Sequence, residues 1–122
     1  MIKKFLWLFL LLPLLLAGCS QINNKEAQVS PLENKTILFY GDTCPHCKAL
    51  EQFLVDNKIN ERMTIEKREV YNDTDNAKLM MEAVGRCSLS EDSVGVPFLW
   101  TDGKCYMGDD VTSFFKVKFN ID

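Results

Sequence analysis

The chain has 122 residues, with 14 lysines and arginines, 17 aspartates and glutamates and one histidine, for a formal net charge of −3. This length accommodates one small domain. The sequence has no stripe of basic residues and no glycine-rich phosphate loop, so it argues against nucleic acid as a partner and against phosphate cradling.

The N-terminal segment has the layout of a secretory signal. Two lysines precede an apolar run over residues 5–16, which is shorter than the roughly 20 residues of a bilayer span. Residues 16–19, Leu-Ala-Gly-Cys, resemble the lipobox of bacterial lipoproteins. The resemblance implies a signal peptide over residues 1–18 and lipidation of Cys19, which would anchor the protein in the cell envelope on the extracytoplasmic side of a membrane. An ordinary signal peptide or an uncleaved anchor is the alternative.

The segment after Cys19 differs in composition from the rest of the chain. Residues 19–35 are polar and poor in aromatics, which is typical of a solvated linker. We expect this lipid-anchored linker to hold one domain, residues 36–122, clear of the membrane surface. That domain carries four cysteines, and thiols in an oxidising compartment do not stay reduced by default. Redox chemistry is therefore the first hypothesis.

Hydrophobic patterning predicts an α/β domain with the element order β-α-β-α-β-β-α. The predicted strands cover residues 36–40, 63–71, 96–100 and 104–107. The predicted helices begin at Pro45, after residues 73–75, Asp-Thr-Asp, and at residues 108–110. Asp102-Gly103 is a strong signal for a two-residue hairpin turn, and residues 87–95 are predicted as a polar loop.

Cys44-Pro45-His46-Cys47 lies at the predicted junction of the first strand and the first helix. A thiolate at a helix N-terminus is favoured by about 0.3 to 2 kcal/mol, which lowers a thiol pKa by roughly one unit. Cys44 is thus the candidate nucleophile, and Cys47, one turn later, is the candidate resolving thiol. Pro45 would keep the turn rigid, and His46 would stabilise the thiolate.

The element order and motif resemble the thioredoxin fold in its small, glutaredoxin-size form, with a central four-stranded mixed sheet. The resemblance implies a cis Val96-Pro97 bond facing the cysteines, with Pro97 shaping the substrate site and blocking metal capture. The Cys-Pro-His-Cys quartet is similar to that of the Dsb-type oxidases. It implies a monomeric thiol-disulfide oxidoreductase, leaning oxidising, which acts on protein or small thiols and exchanges electrons with a membrane redox partner. The redox group would be its own dithiol, with no bound cofactor.

Several positions depart from these families. The buried acid of thioredoxins is replaced by Leu38, so Cys47 needs another proton acceptor, either water or Glu69. Gly41 stands where glutaredoxins typically have a lysine, and the charge of Asp42 is expected to oppose thiolate formation at Cys44. Residues 108–110, Gly-Asp-Asp, are similar to the glutaredoxin loop that holds glutathione, which keeps a glutathione-linked reductase as an alternative; helix capping is the simpler interpretation of the aspartates.

The remaining candidates concern substrate contacts, the other cysteines and metal. Tyr40, Val96 and Phe98 are predicted to line a shallow peptide groove. A structural disulfide between Cys87 and Cys105 is favoured over a second redox pair or two unpaired thiols. Such a bridge would contribute about 3 kcal/mol. We expect no resident metal, but Cys44 and Cys47 with Met107 form a soft ligand set, which leaves Cu(I) binding or delivery as the alternative of a different class.

Overall fold

The computed structural model describes residues 29–122. The predicted signal peptide, the lipidation site Cys19 and most of the predicted linker lie outside the described residues. Among residues 29–122, no helix is long and apolar enough to cross a membrane.

Strands and helices alternate along most of the described chain. The strands are β1 (Ile37–Tyr40), β2 (Glu66–Glu69), β3 (Phe98–Thr101) and β4 (Lys104–Met107). The helices are α1 (Pro45–Asp56), α2 (Ile59–Arg62), α3 (Thr74–Arg86) and α4 (Asp109–Phe119), with a 3₁₀ turn over Glu91–Ser93. The four strands form one sheet in the order β2-β1-β3-β4. Strand β1 is parallel to β2 and antiparallel to β3, and β3 is antiparallel to β4, so the predicted α/β class and four-stranded mixed sheet are confirmed.

The helices cover both faces of this sheet. Alternate side chains of a strand point to opposite faces, and β1 and β3 are buried on both. Ile37, Phe39, Phe98 and Trp100 face α3, where they meet Met80, Ala83 and Val84. Leu38 and Leu99 face α1 and α4, where they meet Leu50, Leu54, Val111 and Phe115. The C-terminal end of the central strand β1 is therefore held between two packed layers, directly before the cysteine motif.

The hairpin turn between β3 and β4 is confirmed at Asp102-Gly103. Both residues have positive φ, 50° and 73°, as a type I′ turn requires. Strand β3 begins two residues later than predicted, at Phe98. The preceding bond, Val96-Pro97, is cis, as the family resemblance implied, and proline has no N–H to offer a strand ladder.

Three other elements differ from the sequence-based prediction. Strand β2 covers four residues rather than the predicted nine, because only residues 66–69 pair with β1. Helix α2 was not predicted; its four residues bury only Ile59 and so carry no helical repeat. The segment predicted as a polar loop after α3 contains the 3₁₀ turn, whose three residues are all polar.

The domain begins before the predicted boundary at Thr36. Leu32, placed in the predicted linker, is buried to 1% exposure within the α3-side core. Its carbonyl oxygen accepts a hydrogen bond of 2.8 Å from the indole N–H of Trp100. Ser30 also donates to Glu82 on α3 at 2.8 Å. The last part of the predicted linker is therefore integral to the fold.

Leu32→Ala is expected to lower the free energy of unfolding by about 2 to 4 kcal/mol, because it removes a fully buried leucine from a packed core. Urea unfolding of the full chain measures this change. The matched control is Val29→Ala, since Val29 is 75% exposed, and its effect should stay within about 0.5 kcal/mol. Equal effects of the two substitutions would mean that residues 29–35 do not pack on the domain in solution.

Candidate active site

Cys44 occupies the N-cap position of α1. Its backbone is extended, with φ −80° and ψ 113°, and its Sγ accepts a hydrogen bond of 3.1 Å from the backbone N–H of Cys47. The Cys44 N–H donates to the Gly41 carbonyl oxygen at 3.2 Å, which closes the turn from β1 into the helix. Pro45 takes the first helical position, where its missing N–H costs nothing. The sulfur thus replaces the side-chain oxygen of an ordinary N-cap.

Cys44 and Cys47 are joined by a disulfide, with their Cα atoms 5.2 Å apart. The two residues are nearly equally buried, at 5% and 6% exposure. Exposure to solvent therefore does not distinguish the two cysteines. What distinguishes them is the hydrogen bond, because it is the Cys44 sulfur that caps the helix.

The segment at Val96-Pro97 lies directly against the disulfide. The Val96 carbonyl oxygen is 3.7 Å from the Sγ of Cys44. The Pro97 carbonyl oxygen accepts from the Gly108 N–H at 2.9 Å, which links this segment to the start of α4. The Val96 backbone therefore borders the Cys44 sulfur.

Of the three residues predicted to line a peptide groove, two are accessible. Tyr40 and Val96 are half-buried, and Tyr40 borders the cleft described below. The prediction for Phe98 is wrong: its side chain is fully buried beside Phe39, with ring centroids 6.1 Å apart. Phe98 follows the cis bond in sequence, but the alternation of β3 directs its ring into the α3-side core.

Two clefts lie beside the first turn of α1. The first, about 320 Å³, is bordered by Cys47 and has an apolar lining from Leu38, Leu50 and Pro97. The second, about 220 Å³, separates the first turns of α1 and α4 and is bordered by the exposed His46 and by Asp109. Leu50 and Pro97 border both clefts.

The aspartates at the start of α4 do not cap the helix through their side chains. Gly108 is the N-cap, with φ 57°, and no side chain bonds to the first free N–H groups. Asp109 and Asp110 lie in the first turn and are exposed, where their charges complement the helix dipole.

The Glu69 carboxylate connects the loop before Cys44 to the loop after β2 through hydrogen bonds. Its carboxylate accepts hydrogen bonds from the backbone N–H groups of Tyr71 at 2.8 Å, Asn72 at 2.9 Å and Asp42 at 3.4 Å. Burial raises the pKa of the Glu69 carboxyl, but these donors outweigh it and hold the pKa below its ordinary value of 4.5. Glu69 is thus committed to the loops, which argues against it as the proton acceptor for Cys47.

The side chain of Asp42 adds a further hydrogen bond between the same two loops. Its carboxylate accepts a hydrogen bond of 2.9 Å from the side-chain amide of Asn72. This contact directs the Asp42 charge toward the loop after β2. Sequence reasoning missed Asn72, because nothing in its neighbourhood marks it as a partner for a residue thirty positions earlier in the chain.

Cys87 and Cys105 are joined by a second disulfide, with their Cα atoms 6.2 Å apart. This bridge ties the C-terminal end of α3 to β4 and so spans the chain segment that contains Val96-Pro97. Met107, proposed as a third soft ligand, accepts a hydrogen bond at its Sδ from the Gly95 N–H at 3.2 Å. Within the described part of the chain, no three histidine, cysteine, aspartate or glutamate side chains form a group suited to a metal ion.

Comparison of the chain with protein-family models, curated proteins and solved structures finds no match. The function of the chain is therefore inferred from the geometry of this site.

Glu69→Gln is expected to destabilise the protein at neutral pH, because an amide loses the charge that three backbone donors stabilise. A group whose pKa is lowered by folding stabilises the fold above its unfolded pKa, and this contribution is lost as the pH falls through the folded value. The difference from wild type should therefore be full above the unfolded pKa of about 4.5 and be lost progressively as the pH falls through the lower pKa of the folded state. Urea unfolding across this range measures it, with the exposed Glu61→Gln as control. A difference in unfolding free energy that does not change with pH would contradict this role of the charged Glu69 carboxylate.

Proposed function

We propose that this protein is a thioredoxin-like thiol-disulfide oxidoreductase whose redox group is the Cys44/Cys47 pair. The observation that carries the proposal is the capping of α1 by the Cys44 sulfur. A sulfur in that position accepts an N–H bond and lies at the positive end of a helix, which stabilises a thiolate over a thiol. The thiolate is the form that attacks disulfides and the better leaving group in exchange.

The sheet order supports the thioredoxin-like part of the proposal. A parallel β1-β2 pair with an antiparallel β3-β4 hairpin added at β1 is compatible with a thioredoxin-like fold. So is the distribution of the helices, with α3 on one face of the sheet and α1, α2 and α4 on the other. The Cys44-Cys47 disulfide then lies at the C-terminal end of the central strand, which is where ligands bind in open α/β sheets.

In the oxidising direction, a substrate thiolate attacks the Cys44 sulfur and breaks the Cys44-Cys47 bond. The Cys47 sulfur leaves with the electron pair and takes up a proton. A second thiolate of the substrate then attacks the substrate sulfur of the mixed disulfide and releases Cys44 as a thiolate. The substrate has lost two electrons and two protons, and the Cys44/Cys47 pair has gained two electrons.

The capping hydrogen bond favours this direction. Release of Cys44 is the last step, and a thiolate stabilised at the helix end is a good leaving group. Pro45 at the first helical position fixes the turn that presents the sulfur, and the exposed His46 can add a positive charge beside it. Tyr40 and the Val96 backbone are proposed to contact the substrate chain on either side of the disulfide.

The protein is proposed to work as a monomer, tethered through Cys19 to the extracytoplasmic face of a membrane in the cell envelope. Its substrates are thiols or disulfides of proteins, or small thiols. Reoxidation of the dithiol falls to a membrane redox partner, which accepts the two electrons. No bound cofactor takes part in these steps, because both electrons are held by the two sulfurs.

Cys44→Ser is expected to reduce thiol oxidation and disulfide reduction to the uncatalysed background, because no nucleophile remains at the helix end. Cys47→Ser should instead accumulate a mixed disulfide on Cys44, since the resolving thiol is missing. Rates with a dithiol peptide and mass spectrometry of the trapped species measure the two effects. The matched control is the double variant Cys87→Ser, Cys105→Ser, which should retain exchange at Cys44. Unchanged rates in Cys44→Ser would overturn the proposal.

A further inference from the structure

The exchange chemistry requires a proton acceptor for Cys47. When the Cys47 thiol attacks a mixed disulfide on Cys44, a bond forms between the two sulfurs, the substrate thiolate leaves, and the Cys47 proton must be removed. Cys47 is buried, and burial disfavours a free thiolate. Leu38, the strand residue beside it, is apolar and fully enclosed, so it can accept no proton.

The cleft beside Cys47 brings other candidates to the sulfur. Besides its apolar lining, the cleft is bordered by five titratable side chains: Tyr40 on β1, Asp42 before α1, Lys48 and Glu51 on α1, and Lys67 on β2. Two of these are carboxylates. The Asp42 carboxylate is bonded to the Asn72 amide in the loop after β2, whereas Glu51 lies on the same helix as Cys47.

Glu51 is placed for this role by the helix itself. It follows Cys47 by four residues, so the two side chains share one face of α1. Side chains in a helix also lean toward its N-terminus, which brings the Glu51 carboxylate back along α1 toward the turn that carries Cys47. The cleft between them, about 320 Å³, has room for water.

Lys67 fixes the carboxylate at the mouth of the cleft. Its Nζ lies 2.5 Å and 2.7 Å from the two Glu51 carboxylate oxygens. Lys67 is the β2 residue paired with Leu38 in the parallel register, so the ion pair joins α1 to β2 directly above the apolar position. An ion pair this exposed contributes little to stability. Its geometric effect is to hold Glu51 over the cleft.

We infer that Glu51 is the proton acceptor for Cys47, acting through water in the cleft, with Lys67 as its positioning residue. The proton passes from the Cys47 thiol to the Glu51 carboxylate as the sulfur attacks, and then to solvent or to the departing thiolate. In the opposite direction Glu51 returns the proton to Cys47 as it leaves. This inference rests on the proposed function, and it places the acid on helix α1 rather than on strand β1.

The test measures the reactions of the two sulfurs as two successive kinetic phases. The full chain with Cys19→Ser, reduced until two free thiols are titrated per chain, is mixed with dithiobis-nitrobenzoate. Attack by Cys44 releases one coloured thiolate and leaves a mixed disulfide; attack by Cys47 releases the second. Stopped-flow absorbance gives both rates across a range of pH.

Glu51→Gln should leave the first release unchanged and slow the second about tenfold at neutral pH, below the usual range for a directly placed base because water intervenes. The deficit should vanish at alkaline pH, where hydroxide removes the proton instead. The control Glu61→Gln, an exposed acid on α2, should change neither rate. An unchanged second release in Glu51→Gln, or a deficit constant at every pH, would overturn the inference.

The first release tests the proposed function separately. If it is no faster in wild type than in Cys44→Ser, the oxidoreductase proposal itself fails, whatever Glu51 does. Lys67→Met should slow the second release no more than Glu51→Gln, and the double variant should match Glu51→Gln alone, since a positioning residue has no effect without its partner. If the rate reductions of the two single variants multiply in the double variant, Lys67 does not act through Glu51 and the role given to Lys67 fails.

Discussion

The hydrogen bond from the Cys47 N–H to the Cys44 sulfur is the interaction on which the candidate site depends. It places the Cys44 sulfur at the N-cap of α1, where a backbone N–H and the helix dipole stabilise a negative charge on sulfur. Three features of the chain place it there: the buried strand β1, the turn at Gly41 and Pro45 at the first helical position. The Cys-x-x-Cys spacing alone does not distinguish a redox pair from a structural disulfide or half of a metal site.

Three contacts connect the segments that surround this cap. The Glu69 carboxylate connects the loop before Cys44 to the end of β2. The Cys87-Cys105 disulfide connects α3 to β4, and the segment that contains Val96 lies between these two cysteines in the chain. Lys67 and Glu51 join β2 to α1 beside Cys47. Each of these contacts connects segments that are distant in sequence, so the site is assembled by the sheet order rather than by the motif alone.

The contrast between the local motif and the contacts made by distant segments explains which features the sequence could predict. The strand before Cys44, the helix at Pro45 and the turn at Asp102-Gly103 follow from local patterns and are found where those patterns place them. Leu32, Phe98 and Glu51 could not be assigned locally. Leu32 is a single apolar residue in a polar stretch that becomes core only because Trp100 and α3 cover it. The burial of Phe98 depends on where β3 begins, and the role inferred for Glu51 depends on β2 bringing Lys67 across the cleft.

The central claim is that the helix cap stabilises the reduced, thiolate form of Cys44. The measurement that tests it most directly is the reduction potential of the Cys44/Cys47 couple in defined thiol-disulfide buffers, because a stabilised thiolate raises that potential. The account predicts a value near or above about −150 mV, in the range of strong dithiol oxidants. A value near about −270 mV, typical of a general reductant, would contradict it.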